Sequence, residues 1–455
     1  MGWPDVLLRE PARPRRIATA PWAPTLVVGT VCIGAFMGQL DASIVSLALP
    51  AIGRDFHAGT GQTEWVALCY LLTLVSLVAP VGRLADTVGR KLFYTYGFGV
   101  FALASLACGL APNLAVLDVC RAVQAAGAAM LQANSVALIA TAVPRSVLGR
   151  AVGVQGAAQA VGLALGPAAG GLLLQLGSWR LLFLLSVPAG LIGVATGWFF
   201  LPRSRDLAGR TPLDRVGLAL FVPAIALLML ALSLGSGTQR AILAVAAVAL
   251  GVLFTLRARR AAAPLLDLNL FRSKTFSAGL AGGLLSYTAM FGLLFTVPPA
   301  LGARYHLPAG HAGLVLALLP VALGITAPFA GRLADRFGAR AVTMTGMIVA
   351  ACAVLGIAAL RPGLALFTGL LVIAGIGLGL FTPANNAAVM ASAPRRDSGS
   401  AAGILNMTRG LGTALGIAAA TLVYDAGGGI TAVGWFLAAL TILGALLSAP
   451  RQMAS

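Results

Sequence analysis

The sequence predicts an all-α integral membrane protein with fourteen transmembrane helices, arranged as two six-helix bundles plus two inserted helices. Hydrophobic residues make up 59% of the 455 residues and charged residues only 10%, and the mean hydropathy is +0.94, which excludes a soluble chain. Apolar runs long enough to cross a bilayer recur along the whole length. A charged, glycine-containing loop occurs once in each half, which indicates an internal duplication.

Fourteen apolar runs are candidate helices, since about 20 apolar residues suffice to span the hydrocarbon core. Most of the 31 Lys and Arg residues lie in alternate gaps between these runs, as is typical of cytoplasmic loops. This asymmetry predicts fourteen spans with both termini in the cytoplasm. The runs are 25–48, 64–84, 92–111, 114–141, 149–175, 180–201, 213–234, 240–257, 276–301, 309–330, 341–360, 363–391, 398–423 and 429–449.

The duplication also predicts the domain organisation. Gly162 and Gly166 in the fifth run have counterparts in Gly412 and Gly416 of the thirteenth, so runs one to six correspond to runs nine to fourteen. Runs seven and eight have no counterpart and are read as an insertion. The expected parts are a cytoplasmic N-terminal tail at 1–24, a six-helix bundle at 25–201, the inserted pair at 213–257, a second six-helix bundle at 276–449 and a cytoplasmic C-terminal tail at 450–455.

The composition and motifs exclude several functions. A net charge of +18 does not indicate a nucleic-acid partner, because the basic residues lie between apolar runs and not on one amphipathic face. The five cysteines and three histidines show no metal-ligand spacing, and no phosphate-binding loop motif occurs. We therefore expect no metal, no cofactor and no enzyme activity. The first 20 residues lack an apolar core, so no cleaved signal peptide is expected.

A charged loop between the second and third runs is the most distinctive motif. It reads Gly-Arg-Leu-Ala-Asp-Thr-Val-Gly-Arg-Lys at 82–91 and returns as Gly-Arg-Leu-Ala-Asp-Arg-Phe-Gly-Ala-Arg at 331–340. The motif resembles the loop between helices two and three of major facilitator superfamily transporters. That resemblance implies two six-helix bundles around a central cavity. The inserted pair resembles the fourteen-helix drug/proton antiporter branch, and the resemblance covers nearly the whole chain.

The residues of this loop are suited to a gate. Asp86 and Arg90 are four positions apart and can form an ion pair. Gly82 and Gly89 permit a tight turn and a close contact between helices. The resemblance implies that the loop clamps the cytoplasmic side in one state and releases it in another, with Asp335 in the second copy. A charge cluster that only sets the topology is the alternative.

Asp41 is the leading candidate for a proton carrier. A carboxylate within the hydrocarbon core costs several kcal/mol unless it is paired or protonated. The run Leu-Asp-Ala-Ser-Ile-Val-Ser-Leu-Ala-Leu-Pro at 40–50 resembles the L-D-x-T-x-V-x-x-A-L-P signature of the antiporters, with Ser43 and Ser46 in place of threonine and asparagine. Pro50 is expected to end the first helix. An acid held permanently in a salt bridge is the alternative.

Arg121 is the expected partner of Asp41, since the two residues come out at similar depths when counted from opposite helix ends. The run Leu-Asp-Val-Cys-Arg-Ala-Val-Gln-Ala-Ala-Gly at 117–127 resembles the helix-four motif of the family, with alanine in place of the usual glycine after the glutamine. In that motif an arginine responds to protonation of a nearby acid. Asp118, one turn earlier, could neutralise Arg121 instead. Gln124 could orient either partner or contact substrate.

The fifth run carries a glycine stripe interrupted by a proline. Gly162, Gly166 and Gly170 are spaced four apart and let another helix approach closely, while Pro167 removes a backbone donor and bends the helix. The pattern resembles the G-x-x-x-G-P-x-x-G-G motif that marks exporters of the family. A generic packing face of small residues is the alternative reading.

Arg409 is the other charge expected inside a helix. Its run at 406–416 resembles a motif of the same antiporters, and a cation at that depth can bind carbonyl groups or water, or shape the cavity. The remaining cavity candidates are aromatic, sulfur-containing and amide side chains, which suit an adaptable apolar site. They are Tyr70, Gln124, Gln155, Tyr287, Met290 and Phe291.

Together these features predict a proton-coupled exporter of amphipathic drugs, antiseptics or antibiotics in a bacterial plasma membrane. Its partners would be a small-molecule substrate, protons and the lipid bilayer, and we expect a monomer because each chain would enclose its own cavity. Two alternatives remain open. The chain could export an endogenous metabolite such as an amino acid, a siderophore or a self-made antibiotic, or it could be a sensor or scaffold that has lost transport.

Overall fold

The computed structural model describes residue 10 and residues 12–448, apart from 176–177, 205–213, 234–236, 262–263, 308, 361, 395–396, 425 and 427–428. Within these ranges the chain is all-helical and contains no β-strand. The predicted tail at 450–455 and most of the first eleven residues lie outside the described residues.

The long helices are numbered α1 to α14 in chain order. Helix α6 has two pieces, Arg180–Leu184 and Ser186–Phe200. The others are α1 (Ala23–Asp55), α2 (Trp65–Val88), α3 (Arg90–Gly109), α4 (Leu114–Ala142), α5 (Leu148–Gln175), α7 (Arg215–Ser233), α8 (Gly237–Arg260), α9 (Lys274–Tyr305), α10 (Ala309–Phe337), α11 (Ala339–Leu360), α12 (Leu364–Ala391), α13 (Ser398–Val423) and α14 (Gly429–Ser448).

Within the described part of the chain, twelve of these helices are long and apolar enough to cross a membrane. The two that are not among them are α5 and α13, which have 28 and 26 residues. Both are rich in glycine and alanine, and they carry Gln155 and Gln159 in α5 and Arg409 in α13. The expected number of fourteen spans is therefore not confirmed.

Helix α1 is longer than the sequence predicts, since it continues through Pro50 to Asp55. The expectation that Pro50 ends the helix was wrong. A proline removes one backbone donor and one helical hydrogen bond, but its fixed φ is compatible with a helix, so the chain can continue beyond it. The last turns of α1 carry the polar residues Arg54 and Asp55, which are exposed.

The chain forms two compact units, and two of the boundaries between them fall inside α5 and α13. The first turns of α5 belong to the second unit, and the first turns of α13 belong to the first. Unit 1 consists of Met1–Val143, Gly162–Leu268 and Ala393–Met407, and unit 2 consists of Pro144–Val161, Asn269–Ser392 and Thr408–Ser455.

In unit 1, α4 packs against α1, α2 and α3, and α6 packs against α1 and α3. Helices α7 and α8 pack on each other, and α7 also contacts α2. An ion pair at 3.2 Å joins Asp214, just before α7, to Arg257 near the end of α8. In unit 2, α12 packs against α10 and α11, and α14 packs against α9 and α11 around buried Leu293, Leu371 and Val433.

Candidate functional site

A buried ion pair in unit 1 joins α1 to α4. The Nη1 group of Arg121 donates to Oδ2 of Asp41 at 2.8 Å, and both residues are about 1% exposed. The pair lies beside a cluster of buried apolar residues that includes Ile44 and Leu117. In such surroundings an unpaired charge would cost several kcal/mol, so each partner depends on the other.

Gln124 links both members of this pair. Its side-chain nitrogen donates to Oδ1 of Asp41 at 2.9 Å and to the hydroxyl of Ser105 at 2.7 Å. Its side-chain oxygen accepts a hydrogen bond from Arg121. Gln124 is fully buried, and every oxygen of the Asp41 carboxylate thus has a partner. The result is a closed polar network on α1, α3 and α4.

The remaining contacts of Arg121 come from α2 and α6. Its Nε group donates to the carbonyl oxygen of Val66 at 3.1 Å. The guanidinium carbon lies 4.2 Å from the centre of the Tyr70 ring and 5.6 Å from that of Phe183. Aromatic faces attract a desolvated cation, so these rings can hold Arg121 when Asp41 is neutral. The hydroxyl of Tyr70 is buried without a hydrogen-bond partner.

The buried network thus brings together one carboxylate, Asp41, and one guanidinium, Arg121. Their role in proton coupling stays a prediction.

The glycine stripe of α5 packs on the part of α1 that carries Asp41. A Cβ atom on Gly162 would lie 2.5 Å from the carbonyl oxygen of Phe36, and one on Gly166 would collide with the Ser43 hydroxyl. That hydroxyl donates to the carbonyl oxygen of Leu40 at 3.2 Å. The close approach therefore positions α1. Gly170 is buried on the same helix, and the side chain of Pro167 lies outside what the structure describes.

Asp118 does not form an ion pair with Arg121. The two residues lie three positions apart on α4, and no salt bridge joins these two described side chains. Asp118 instead lines a cleft of about 490 Å³, and its Oδ1 atom is buried without a partner. The other lining residues are Phe56, His57, Ala58, Gln62, Trp65, Asn113, Leu114 and Ala115.

The charged loop predicted at 82–91 is helical except at Gly89, since α2 continues to Val88 and α3 begins at Arg90. Asp86 of this charged loop holds the first turn of α13. Its Oδ1 atom accepts from Arg90 Nη2 at 2.8 Å and from the backbone N–H of Gly399 at 2.8 Å, and Oδ2 accepts from the N–H and hydroxyl of Ser400 at 2.7 and 2.8 Å. A carboxylate at a helix N-terminus is favoured by the helix dipole. Gly82 lies directly against Gly399, where a Cβ atom would collide with the backbone.

The second copy of the loop does the same for α5. Asp335 accepts from the backbone N–H groups of Gly149 and Arg150, both at 3.1 Å. Gly89 and Gly338, which occupy the same place in the two loops, have φ values of 135° and 85°. These values lie in the region that favours glycine, so both copies need a glycine to leave one helix and enter the next.

In unit 2, Arg409 binds Gln159, which lies 250 positions earlier in the chain. Its Nη2 group donates to the side-chain oxygen of Gln159 at 3.0 Å and to the hydroxyl of Tyr287, over whose ring the guanidinium carbon lies at 4.5 Å. Phe291 stacks on Tyr287 with ring centres 6.1 Å apart. Met290 is a buried core residue of the same unit.

The structure thus brings predicted site residues together in two networks. The network in unit 1 contains Asp41, Arg121, Gln124 and Tyr70. The network in unit 2 contains Arg409, Tyr287 and Phe291. The structure does not join Asp118 to the network in unit 1. Gln155 is buried in unit 2, and its side-chain oxygen has no partner. Sequence reasoning missed Ser105, Phe183 and the Val66 carbonyl, because isolated serines, apolar rings and backbone atoms carry no motif.

The family model of the Major Facilitator Superfamily matches residues 31–266 and 279–452. This chain belongs to the Major Facilitator Superfamily. It is therefore a multi-pass membrane transporter and not an enzyme.

The relatives of this major facilitator protein include drug-resistance and export proteins. It is 31% identical over 405 residues to the tetracenomycin C resistance and export protein of Streptomyces glaucescens, covering 88% of this chain and 75% of the relative. It is also 32% identical over 395 residues to the riboflavin transporter RibZ of Clostridioides difficile, covering 86% of each chain. The predicted assignment to a drug-efflux branch of the Major Facilitator Superfamily is confirmed by these resistance and export proteins.

A solved structure agrees on the fold. The human organic anion transporter MFSD10 (TETRAN) superposes with a TM-score of 0.71 over 94% of this chain and 100% of that one. The sequence identity is 16%, so the likeness concerns the fold alone.

Proposed function

We propose that this transporter exports an amphipathic, drug-like molecule across a bacterial plasma membrane and takes up a proton in exchange. The observation that carries the proposal is the buried network of Asp41, Arg121 and Gln124, which contains one titratable acid and one fixed cation. Resistance and export proteins among the relatives support the direction of transport. The intact glycine stripe at Gly162 and Gly166 supports it as well.

In the proposed cycle, Asp41 alternates between an ion-paired and a protonated form. Protonation releases Arg121 to its neutral acceptors, and binding of substrate favours the deprotonated form again. The loop at 82–91 acts as the gate, and Asp86 would leave the first turn of α13 in one state. The membrane potential contributes about 2.3 kcal/mol per charge per 100 mV, which adds to any pH difference.

The topology belongs to the same proposal. Fourteen spans would place both termini in the cytoplasm, with six-helix bundles at 25–201 and 276–449 and an inserted pair at 213–257. Helices α5 and α13 would cross the membrane as inner helices, where glycine-rich faces and polar side chains are covered by neighbours.

The test is efflux from proteoliposomes with an imposed pH gradient, measured together with the lumenal pH. We expect wild-type protein to export lipophilic antibiotics while moving protons the other way. The variant Asp41→Asn should bind substrate but transport it without coupling. Asp55→Asn is the matched control, since Asp55 lies on the same helix in an exposed position. Full proton-linked export by Asp41→Asn would refute the assignment of the carrier.

A second candidate function is transport of a metabolite with an extended ring system. The similarity to a riboflavin transporter favours it. The same proteoliposomes distinguish the two by loading riboflavin and antibiotics in parallel. Transport of riboflavin without any antibiotic would replace the drug-efflux proposal.

A further inference from the structure

A cavity of about 650 Å³ opens in unit 1, at the end where α1 begins. It is formed by the segment before α1, the first turns of α1, the start of α3, the last turns of α4 and the residues that follow α6. We call it the tri-arginine cavity. Its lining residues are Ala12, Arg13, Ala20, Pro21, Ala23, Pro24, Val27, Arg90, Leu138, Thr141, Ala142, Pro202, Arg203 and Ser204.

The lining combines cationic and apolar residues. Arg13, Arg90 and Arg203 line the cavity, and no carboxylate occurs among its described lining residues. The guanidinium of Arg90 is paired with Asp86, so Arg13 and Arg203 are the remaining cations. Val27 and Leu138 contribute apolar side chains to the lining. A lining of this composition favours an anionic group attached to an apolar body.

Two carboxylates contact residues of the lining. Glu10 accepts from the backbone N–H and hydroxyl of Ser204, at 2.5 and 2.7 Å. Asp86 is shared between Arg90 and the first turn of α13. Among the described residues, neither acid forms an ion pair with Arg13.

Arg13 itself lacks a counter-ion among the described residues. One of its terminal nitrogens donates to the carbonyl oxygen of Phe200, but its Nε group is buried without a partner. Burial lowers the pKa of Arg13 below its usual value, because the cation has lost part of its hydration. A desolvated guanidinium with an unused donor is a ready anion-binding group.

We propose that the tri-arginine cavity binds a phosphate group, carried either by an anionic phospholipid or by a soluble phosphate compound. Guanidinium groups bind phosphate oxygens through paired, charge-assisted hydrogen bonds, and Arg13 and Arg203 both line the cavity. The apolar residues Val27 and Leu138 suit the glycerol and the first methylenes of a lipid. The cavity shares no residue with the buried network of Asp41, Arg121 and Gln124.

The experiment measures retention of lipids by the full-length protein with native mass spectrometry. Purified protein would be equilibrated with equal amounts of phosphatidylglycerol and phosphatidylcholine. We expect wild-type protein to retain phosphatidylglycerol, and the double variant Arg13→Gln, Arg203→Gln to retain it at least about tenfold less, since charge-assisted bonds are lost. Arg16→Gln is the control, because Arg16 is exposed and does not line the cavity.

A second arm distinguishes the source of the phosphate. Inorganic phosphate and glycerol 3-phosphate are added to lipid-free protein, and the thermal unfolding midpoint is measured. A rise in the unfolding midpoint of wild type that the double variant does not show would identify a soluble phosphate compound as the ligand. Selective retention of phosphatidylglycerol without any rise in the midpoint would identify the lipid. The proposal would be overturned if wild type retained both lipids equally and showed no thermal shift. It would also be overturned if the double variant bound lipid or phosphate as well as wild type does. The single variants replace the double variant if it fails to fold.

Discussion

Asp86 and Asp335, which occupy the same place in the two copies of the charged loop, each hold the first turn of a helix from the opposite half of the sequence. Asp86 accepts the backbone N–H groups of Gly399 and Ser400, and Asp335 those of Gly149 and Arg150. The duplicated motif is thus a duplicated helix cap. The two copies differ in burial, since Asp86 is fully buried and Asp335 is exposed.

This difference predicts unequal effects of the same substitution. Asp86→Ala leaves Arg90 buried without its carboxylate, so we expect a destabilisation of about 3–5 kcal/mol. Asp335→Ala removes only two hydrogen bonds at an exposed helix start, which costs about 0.5–2 kcal/mol. The thermal unfolding midpoint of the purified variants checks both values. A larger loss for Asp335→Ala would contradict the dominant role of burial.

The geometry of Arg121 predicts that lysine cannot replace it. A guanidinium reaches Asp41, Gln124 and the Val66 carbonyl at once, whereas an ammonium offers no planar fork. We expect Arg121→Lys to lower coupled efflux at least about tenfold while the protein still folds. Arg180→Lys is the control, because Arg180 pairs with Asp55 at the protein surface. Unchanged efflux by Arg121→Lys would show that charge alone suffices.

The contact between α5 and α1 predicts a steric effect. A methyl group at Gly166 would meet the Ser43 hydroxyl and lie 3.2 Å from the backbone nitrogen of Ile44, so the two helices must separate. We expect Gly166→Ala to cost about 1–3 kcal/mol. Gly29→Ala on α1 is the matched control, since no atom lies within 4 Å of its Cβ position, and it should be neutral or stabilise by up to about 1 kcal/mol. Comparable midpoints for both variants would show that α5 adapts without strain.

The exposed Asp55–Arg180 pair predicts a small pH effect. Hydrogen bonds from Arg180 and Trp179 lower the pKa of Asp55 below its usual value. A carboxyl group with a lowered pKa in the folded state stabilises the protein above its unfolded pKa, and this contribution is lost as the pH falls through the folded pKa. We expect Asp55→Asn to unfold at a slightly lower temperature than wild type at neutral pH, with the difference shrinking as the pH falls through the folded-state pKa of Asp55. A difference that grows on acidification would reverse the sign.

Much of the candidate site could be read from motifs. Asp41 and Arg121 were singled out because an isolated carboxylate and an isolated guanidinium inside apolar runs need partners, and the structure places them 2.8 Å apart. Asp118 could not be assigned in the same way, because its spacing on α4 suited a pair with Arg121 equally well. Only the packing of α1 against α4 decides between the two acids. The position of Pro50 inside α1 was also beyond sequence reasoning, since a proline is compatible with both a helix end and a continued helix.

The sequence by itself determined the membrane class, the internal repeat, the places of the helices and the family, because hydropathy, glycine spacing and repeated motifs are local properties of the chain. The tertiary structure decided which polar groups meet. The first turns of α5 pack in the unit that holds the second copy of the charged loop, and the first turns of α13 pack in the unit that holds the first copy. Gln159 contacts Arg409, although the two residues are 250 positions apart in the chain. The same holds for the tri-arginine cavity, whose three cations come from three separate segments. Such contacts depend on how helices pack, and helix packing depends on the shape of every neighbouring side chain.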